Sequence, residues 1–148
     1  MGGGTVYRHF PTKDALVSAL FAAELDAEIA RPRESAQSDD AWAALLGYLD
    51  ETLRRQAANR GLRALLCPSG SAFPSVQECR AVVDPHLEFP IDRARSQGAL
   101  RADATVRDIT LLQVALVGIM DATPGDPDAY RRHLAVHLDG LRKRGAGE

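Results

Sequence analysis

The chain has 148 residues, 45% of them hydrophobic and 26% charged, which is the composition of one globular domain and excludes a wholly disordered protein. Its formal net charge of -2 excludes a generally basic coat for nucleic acid but allows a local basic patch. The longest apolar run, residues 109–120, is interrupted by Thr110 and Gln113. It is shorter than the roughly 20 residues that span a bilayer. We therefore predict a soluble protein without a membrane segment. No secretory signal precedes Cys67 and Cys79, which favours reduced thiols in a cytoplasmic protein.

Helical periodicity recurs along the chain and no segment alternates as a strand does, which predicts an all-α fold. Thr12 is the expected N-cap of a first helix over residues 13–30, which ends before Pro32. A second helix is expected to open at Ser38, where a hydroxyl cap and the following carboxylates suit the positive end of the helix dipole. The predicted buried stripe of this helix consists of Trp42, Leu45, Leu46, Leu49 and Leu53. A short apolar helix is expected next, over residues 62–67.

A third long helix is expected to begin near Ser75, which has capping-box spacing to Glu78. Pro85 and Pro90 each remove a backbone donor inside this helical pattern, so a kink or a break is predicted there. Gly98 is expected to end the helix.

The next helix, over residues 106–121, is expected to start at a capping box of Thr105 and Asp108 and is apolar on nearly every side. Such a helix must be covered all round, so we predict that a second subunit covers part of it. The last helix, over residues 127–144, is expected to have Asp126 as its N-cap. Its predicted inner face carries Tyr130, Leu134, Leu138 and Leu141, and another face carries Ala129, His133, Val136 and Gly140.

The opening stretch GTVYRHFPTKDAL, residues 4–16, resembles the end of the helix-turn-helix and the following linker helix of TetR-family transcriptional repressors. The segment SQGALRADATVRDI, residues 96–109, is similar to that family's junction into its penultimate helix, and the last two helices resemble its dimerising pair. The resemblance implies a repressor that binds operator DNA as a homodimer, is released by a small apolar effector and needs no cofactor. It further implies a remnant of the DNA-binding domain over residues 1–30 and a helical ligand-binding and dimerisation domain over residues 31–148.

The residues expected to contact DNA lie in this opening stretch. The hydroxyl groups of Thr5 and Tyr7 and the ammonium group of Lys13 suit phosphate oxygens. Arg8 and His9 either add to this phosphate clamp or reach a base edge in the major groove. Without the family resemblance, a solvated basic helix start would explain these residues equally well.

Most of the helix-turn-helix is missing from the sequence, and Met1 with three glycines replaces the start of the reading helix. Glycine opposes helix formation, so this remnant is not expected to fold by itself. Two explanations are open. In the first, which we favour, the true start lies upstream of Met1 and the intact protein is a repressor. In the second, the chain is a natively short, dimerising ligand-binding protein without DNA-binding activity of its own.

The resemblance also implies an effector pocket at the centre of the bundle and a subunit interface along the last two helices. The residues expected to line the pocket are Phe21, Trp42, Leu66, Phe73, His86, Leu87, Gln113 and Leu116. The residues expected at the interface are Leu112, Ile119, His133, Val136, His137 and Gly140. Each pocket residue is equally well explained as an ordinary core residue. Gln113 is the best candidate, because a polar group in an apolar helix must find a partner.

No fingerprint of a serine hydrolase, a zinc protease or a nucleotide-binding loop is present, so we do not expect an enzyme. His133 and His137 have a helical spacing that can hold a metal ion, but no third ligand stands at an obvious spacing. We therefore interpret them as interface or surface residues and expect no metal. Cys67 and Cys79 are interpreted as small apolar residues rather than as a redox pair.

Overall fold

The computed structural model describes residues 12, 15–16, 19–20, 22–23, 26–27, 29–31, 37–61 and 76–145. Within this part of the chain the ordered elements are helices, so the predicted all-α class is confirmed. The helices with defined bounds are α1, Ala41–Ala58; α2, Val76–Ser96; α3, Val106–Ala122; and α4, Pro127–Leu141. The described residues from 15 to 31 are also helical. Each helix described is too short or too polar to cross a bilayer.

Side-chain caps fix the first two helix starts. The backbone N–H of Ala15 donates to Oγ1 of Thr12 at 3.0 Å, which confirms the predicted cap. The cap of α1 is Asp40 rather than Ser38, because the carboxylate of Asp40 accepts the N–H of Ala43 at 2.9 Å. The hydroxyl of Ser38 lies too far before the helix and donates instead to the carbonyl of Asp40 at 3.3 Å.

The predicted starts of α3 and α4 are confirmed as well. The N–H of Thr105 donates to the carboxylate of Asp108 at 2.8 Å, and the N–H of Asp108 donates back to Oγ1 of Thr105 at 3.4 Å. The carboxylate of Asp126 accepts the N–H groups of Asp128 and Ala129, both at 3.2 Å. The starts of both helices are therefore fixed by hydrogen bonds that span only a few residues.

The helix α2 is continuous although two prolines lie inside it, so the predicted break is wrong. Pro90 is fully buried, and Leu87 and Ile91 beside it are 1% exposed each. The packing of this face stabilises the helix, because tertiary contacts supply most of the stability of helices in proteins. That stabilisation offsets the two backbone hydrogen bonds that prolines cannot make.

The end of α2 is a glycine cap, as predicted. Gly98 has φ of 74°, in the left-handed region. Its N–H donates to the carbonyl of Arg95 at 2.9 Å, and the N–H of Ala99 donates to the carbonyl of Ala94 at 3.1 Å. These two bonds form a Schellman motif, which satisfies carbonyl groups in the last turn of the helix.

Replacement of Gly98 by alanine is expected to lower the free energy of unfolding by about 1 kcal/mol, because positive φ strains an L side chain. The new Cβ would lie 3.9 Å from Nζ of Lys143, so the cost comes from the backbone and not from a clash. Gly47→Ala in α1 is the control, since its Cβ meets nothing within 4 Å. That variant is expected to gain about 0.5–1 kcal/mol from helix propensity. Urea unfolding followed by circular dichroism measures both, and shifts of the same sign would contradict this account.

The helix α4 ends at Leu141, before the predicted residue 144. The reason is a competing pairing with the segment between α2 and α3. The N–H of Arg101 donates to the carbonyl of Leu141 at 2.9 Å, and the N–H of Lys143 donates to the carbonyl of Ala99 at 3.0 Å. These bonds form an isolated antiparallel bridge that ties the end of α4 to this segment.

The core lies among α1, α2 and α3, which contact one another in pairs, and α4 packs against α3. Its fully buried large side chains include Leu45, Leu49, Leu53, Leu87, Ile91, Leu100, Ile109 and Leu116. The predicted stripe of α1 is confirmed at Leu45, Leu49 and Leu53, whereas Trp42 and Leu46 are half-buried. On α4, Tyr130 is buried and the other predicted inner residues are half-buried against the core.

Candidate functional site

An apolar face on α3 and α4 is exposed in the described part of the chain. Leu111, Ala115, Gly118 and Ala122 are all exposed on α3, and their spacing places them along one side of the helix. Leu111 exposes 44% of its surface. On α4, Val136 exposes 51%. We call these residues, with His133, His137 and Gly140 of α4, the α3–α4 face.

A groove of about 430 Å³ lies within this face. Its lining consists of Asp108, Leu111, Leu112, Ala115, Val136, His137, Gly140 and Leu141. Leu112 is only 5% exposed and also belongs to the core. A Cβ added at Gly140 would meet nothing within 4 Å. The backbone of α4 is therefore open to close approach from outside.

The residues predicted at a subunit interface fall into two groups. Four of them line the groove: Leu112, Val136, His137 and Gly140. His133 is exposed one turn before His137, and Ile119 is half-buried against the core. Leu111, Ala115 and Gly118 were not predicted from the sequence. Their helical spacing and their small or apolar side chains could have indicated this exposed face.

The two histidines of α4 are connected through the backbone. Nδ1 of His137 lies 2.7 Å from the carbonyl oxygen of His133, so the N–H at Nδ1 donates to that carbonyl. In the part of the chain that the structure describes, no three His, Cys, Asp or Glu side chains are grouped so that they could hold a metal ion.

A charged pair supports the groove from the segment between α2 and α3. The guanidinium of Arg101 donates to both carboxylate oxygens of Asp103, at 2.7 and 2.8 Å, and also to the carbonyl of Gly140 at 3.3 Å. The hydrogen bond from Arg101 lowers the pKa of Asp103 below its ordinary value. The pair therefore remains ionised at neutral pH and holds the end of α4 in place.

A glutamine fixes the start of α1 at the same end of the bundle. Nε2 of Gln97 donates to the carbonyl of Asp39 at 2.8 Å, and its Oε1 accepts the N–H of Ala41 at 3.0 Å. The second bond satisfies a backbone donor in the first turn of α1, which has no partner within the helix. The start of α1 is thus held against the end of α2.

The residues predicted to line an effector pocket are only partly described. Phe21, Leu66 and Phe73 lie outside the described residues. Leu87 and Leu116 are buried in the core cluster, and the half-buried Trp42 packs against it. His86 and Gln113 are half-buried.

Polar side chains on the buried side of α1 were missed by sequence reasoning. Thr52 is 0% exposed and Gln56 is 4% exposed. Nη1 of the half-buried Arg31 lies 3.5 Å from Oγ1 of Thr52. The available signal was that Thr52 and Gln56 continue the helical spacing of Leu45 and Leu49, which places polar residues where the apolar stripe should run.

The residues predicted to contact DNA lie outside the described residues: Thr5, Tyr7, Arg8, His9 and Lys13. They stay predictions from the sequence.

The architecture is that of helical transcriptional regulators. The family described as "Transcriptional regulator SbtR-like, C-terminal domain" matches residues 40–143. The chain is similar to the crystal structure of a TetR transcriptional regulator from Streptomyces coelicolor, with a TM-score of 0.75 and 24% identity over 98% of this chain and 83% of that one. It is also similar to the TetR transcription regulatory protein from Mycobacterium vanbaalenii, with a TM-score of 0.66 and 30% identity over 94% of this chain and 75% of that one. No curated protein matches.

The chain belongs to the TetR family of transcriptional regulators, and its residues 40–143 form a C-terminal domain of the SbtR-like type. The family predicted from the sequence is thereby confirmed.

Proposed function

We propose that this chain is a ligand-responsive repressor that pairs with a second copy of itself, binds operator DNA and is released by a small effector. The observation that carries the proposal is the exposed α3–α4 face in a member of a family of transcriptional regulators. A contiguous apolar surface of this kind marks an interaction site. A second copy is a suitable occupant, because a two-fold dimer places the same face of each subunit against the other.

The composition of this face favours helix-on-helix packing. Ala115, Gly118 and Gly140 are small, so two helices can approach closely. Leu111 and Val136 supply the apolar area. Complete burial of one such side chain contributes roughly 1.5–3 kcal/mol, and a two-fold dimer contains each of them twice. These four side chains would supply several kcal/mol toward association.

We further propose that residues 31–148 bind the effector and the partner, and that residues 1–30 form the end of a DNA-binding domain. The apolar part of the effector would lie among α1, α2 and α3, where Leu87 and Leu116 pack and where His86 and Gln113 offer polar groups at the edge. An effector that binds one arrangement of the helices more tightly than the other shifts the population toward it. The helical residues from 15 to 31 connect this bundle to the proposed DNA contacts and would transmit the shift.

The DNA part of the proposal predicts a particular effect of Lys13→Ala. A dimer presents two reading elements about 34 Å apart to successive turns of the major groove. In the protein with a complete helix-turn-helix, Lys13 is assigned to a phosphate. Its replacement there is expected to weaken binding to all sequences alike. It is also expected to lower the slope of log K against log salt concentration by about 1 for each phosphate that is no longer neutralised. Selection from a random DNA library, followed by anisotropy titrations at several salt concentrations, measures both effects.

Lys143→Ala is the matched control, because it removes the same charge from an exposed position at the far end of the described chain. A changed base preference in Lys13→Ala would contradict the phosphate assignment. A dimer with a complete helix-turn-helix that retains no DNA from the library would contradict the repressor proposal and would favour the ligand-binding protein without DNA-binding activity.

A further inference from the structure

Two histidines of α4 stand one helical turn apart on the α3–α4 face. His133 and His137 are both exposed, and His137 also lines the groove. Side chains four residues apart lie on the same side of a helix, with their Cβ atoms about 5–6 Å apart. Both imidazole rings can therefore reach one Zn²⁺ ion, which binds a histidine nitrogen at about 2.0–2.1 Å.

The backbone fixes which nitrogen of His137 is free to bind a metal ion. The N–H at Nδ1 donates to the carbonyl oxygen of His133 at 2.7 Å. In the neutral ring, Nε2 then carries the lone pair that a metal ion accepts. Histidines that bind metal ions almost always donate their other N–H to such an acceptor, because this hydrogen bond fixes the tautomer and the orientation of the ring. His137 therefore has the hydrogen bonding of a metal ligand.

One chain supplies only two ligands, so its sequence alone does not predict a metal. Within the described residues of one chain, no third His, Cys, Asp or Glu side chain joins this pair. Structural zinc sites almost always have four ligands in a tetrahedral arrangement. A two-fold dimer formed through the α3–α4 face contains each residue of that face twice. The two subunits together therefore supply four histidines.

The position of the pair favours a site on the two-fold axis. A residue meets its own copy only close to that axis, and the two histidines flank the middle of α4, Pro127–Leu141. Ala115 and Gly140, which line the groove together with His137, are small. Small side chains allow helices to pack at the short end of the usual separation of about 8–10 Å. At that separation, imidazole rings from the two copies of α4 can reach one point between them.

We propose that the dimer binds one Zn²⁺ ion between its subunits, held by His133 and His137 of each. Asp108 lines the same groove as His137, so one carboxylate from each subunit would offset the charge of the ion. This assignment rests on the proposed function, because it adds a bridging ion to the same subunit interface. Association of the subunits, and with it DNA binding, would then depend on the concentration of free zinc.

Sedimentation equilibrium of the whole chain, with EDTA or with zinc chloride, tests the bridging ion. An ion that is bound by the dimer and not by the monomer strengthens association by mass action. At a free zinc concentration about ten times the dissociation constant of the ion, association is expected to be about tenfold tighter than in EDTA. Calorimetric titration of the chain with zinc is expected to saturate at one ion for every two chains.

His137→Gln is expected to abolish the effect of zinc and to leave association in EDTA unchanged. Asp139→Asn is the matched control, because it removes another possible zinc ligand from an exposed position on α4. Asp139 lies about 160° around the helix from His137 and does not line the groove. This control is expected to keep the full effect of zinc. Cobalt(II) gives a second measurement, since the visible absorption of a tetrahedral cobalt site is expected in Asp139→Asn and not in His137→Gln.

Saturation at one zinc ion per chain would overturn the shared site, because each subunit would then bind an ion of its own. An effect of zinc that persists in His137→Gln would overturn the assignment of the ligands. A dimer in EDTA that zinc does not strengthen would overturn the inference and leave the proposed function intact. A chain that is monomeric both with and without zinc would instead contradict the subunit pairing on which the proposed function depends.

Discussion

Gly140→Arg is expected to convert the proposed dimer into a monomer at micromolar concentration, with association weakened by more than about a hundredfold. Gly140 lines the groove of the α3–α4 face, and a Cβ there meets nothing within its own subunit, so the fold accepts the change. In the dimer, the guanidinium would have to leave water for an apolar groove. Such an uncompensated buried charge costs several kcal/mol, and the two-fold axis introduces it twice. Sedimentation equilibrium measures the change.

Ala135→Arg is the matched control for this prediction. Ala135 is exposed on α4, about 140° around the helix from Gly140, and does not line the groove. The same charge placed there is expected to leave the dimer intact. Dissociation of both variants, or of neither, would contradict the assignment of the α3–α4 face. Leu112→Arg is unsuitable for this test, because Leu112 is 5% exposed and its replacement would disrupt the subunit core itself.

The features predicted correctly from the sequence are those formed within a few residues. The caps at Thr12 and Asp126, the capping box of Thr105 and Asp108, and the glycine cap at Gly98 each depend on one turn of chain. The break in α2 and the end of α4 at residue 144 were predicted wrongly, because the deciding contacts are distant in sequence. The helix α2 continues through its prolines because its inner face is packed in the core, and α4 ends early because it pairs with the segment after Gly98.

The candidate sites were harder to predict than the helices. A helix that is apolar on nearly every side does not indicate which side faces its own core, so Leu112 was assigned to the interface and the exposed Leu111 was missed. Thr52 and Gln56 were missed for a different reason. Each has the polarity of a surface residue, and only their positions relative to the leucines of α1 show that they are buried.

Leu116→Ala is expected to lower the free energy of unfolding by about 2–5 kcal/mol, the range for buried leucines whose removal leaves a cavity. Leu116 is 0% exposed and belongs to the core cluster. Leu20→Ala provides the matched control, because the same atoms are removed from a side chain that is 50% exposed. That change is expected to remain within about 0.5 kcal/mol. Urea unfolding of both variants in the Gly140→Arg background gives a free energy that is independent of subunit concentration.

The size of the decrease in the free energy of unfolding shows whether Leu116 is an ordinary core residue or lines the effector pocket. A side chain packed on all sides gives up both its transfer free energy and its packing against neighbours when it is shortened, so the upper part of the range indicates a core residue. A side chain that already borders a ligand cavity gives up less packing, because part of its surface has no neighbouring atoms to begin with. A decrease of about 1 kcal/mol would therefore place Leu116 in the wall of the effector pocket. A decrease above about 3 kcal/mol would place the pocket elsewhere in the bundle.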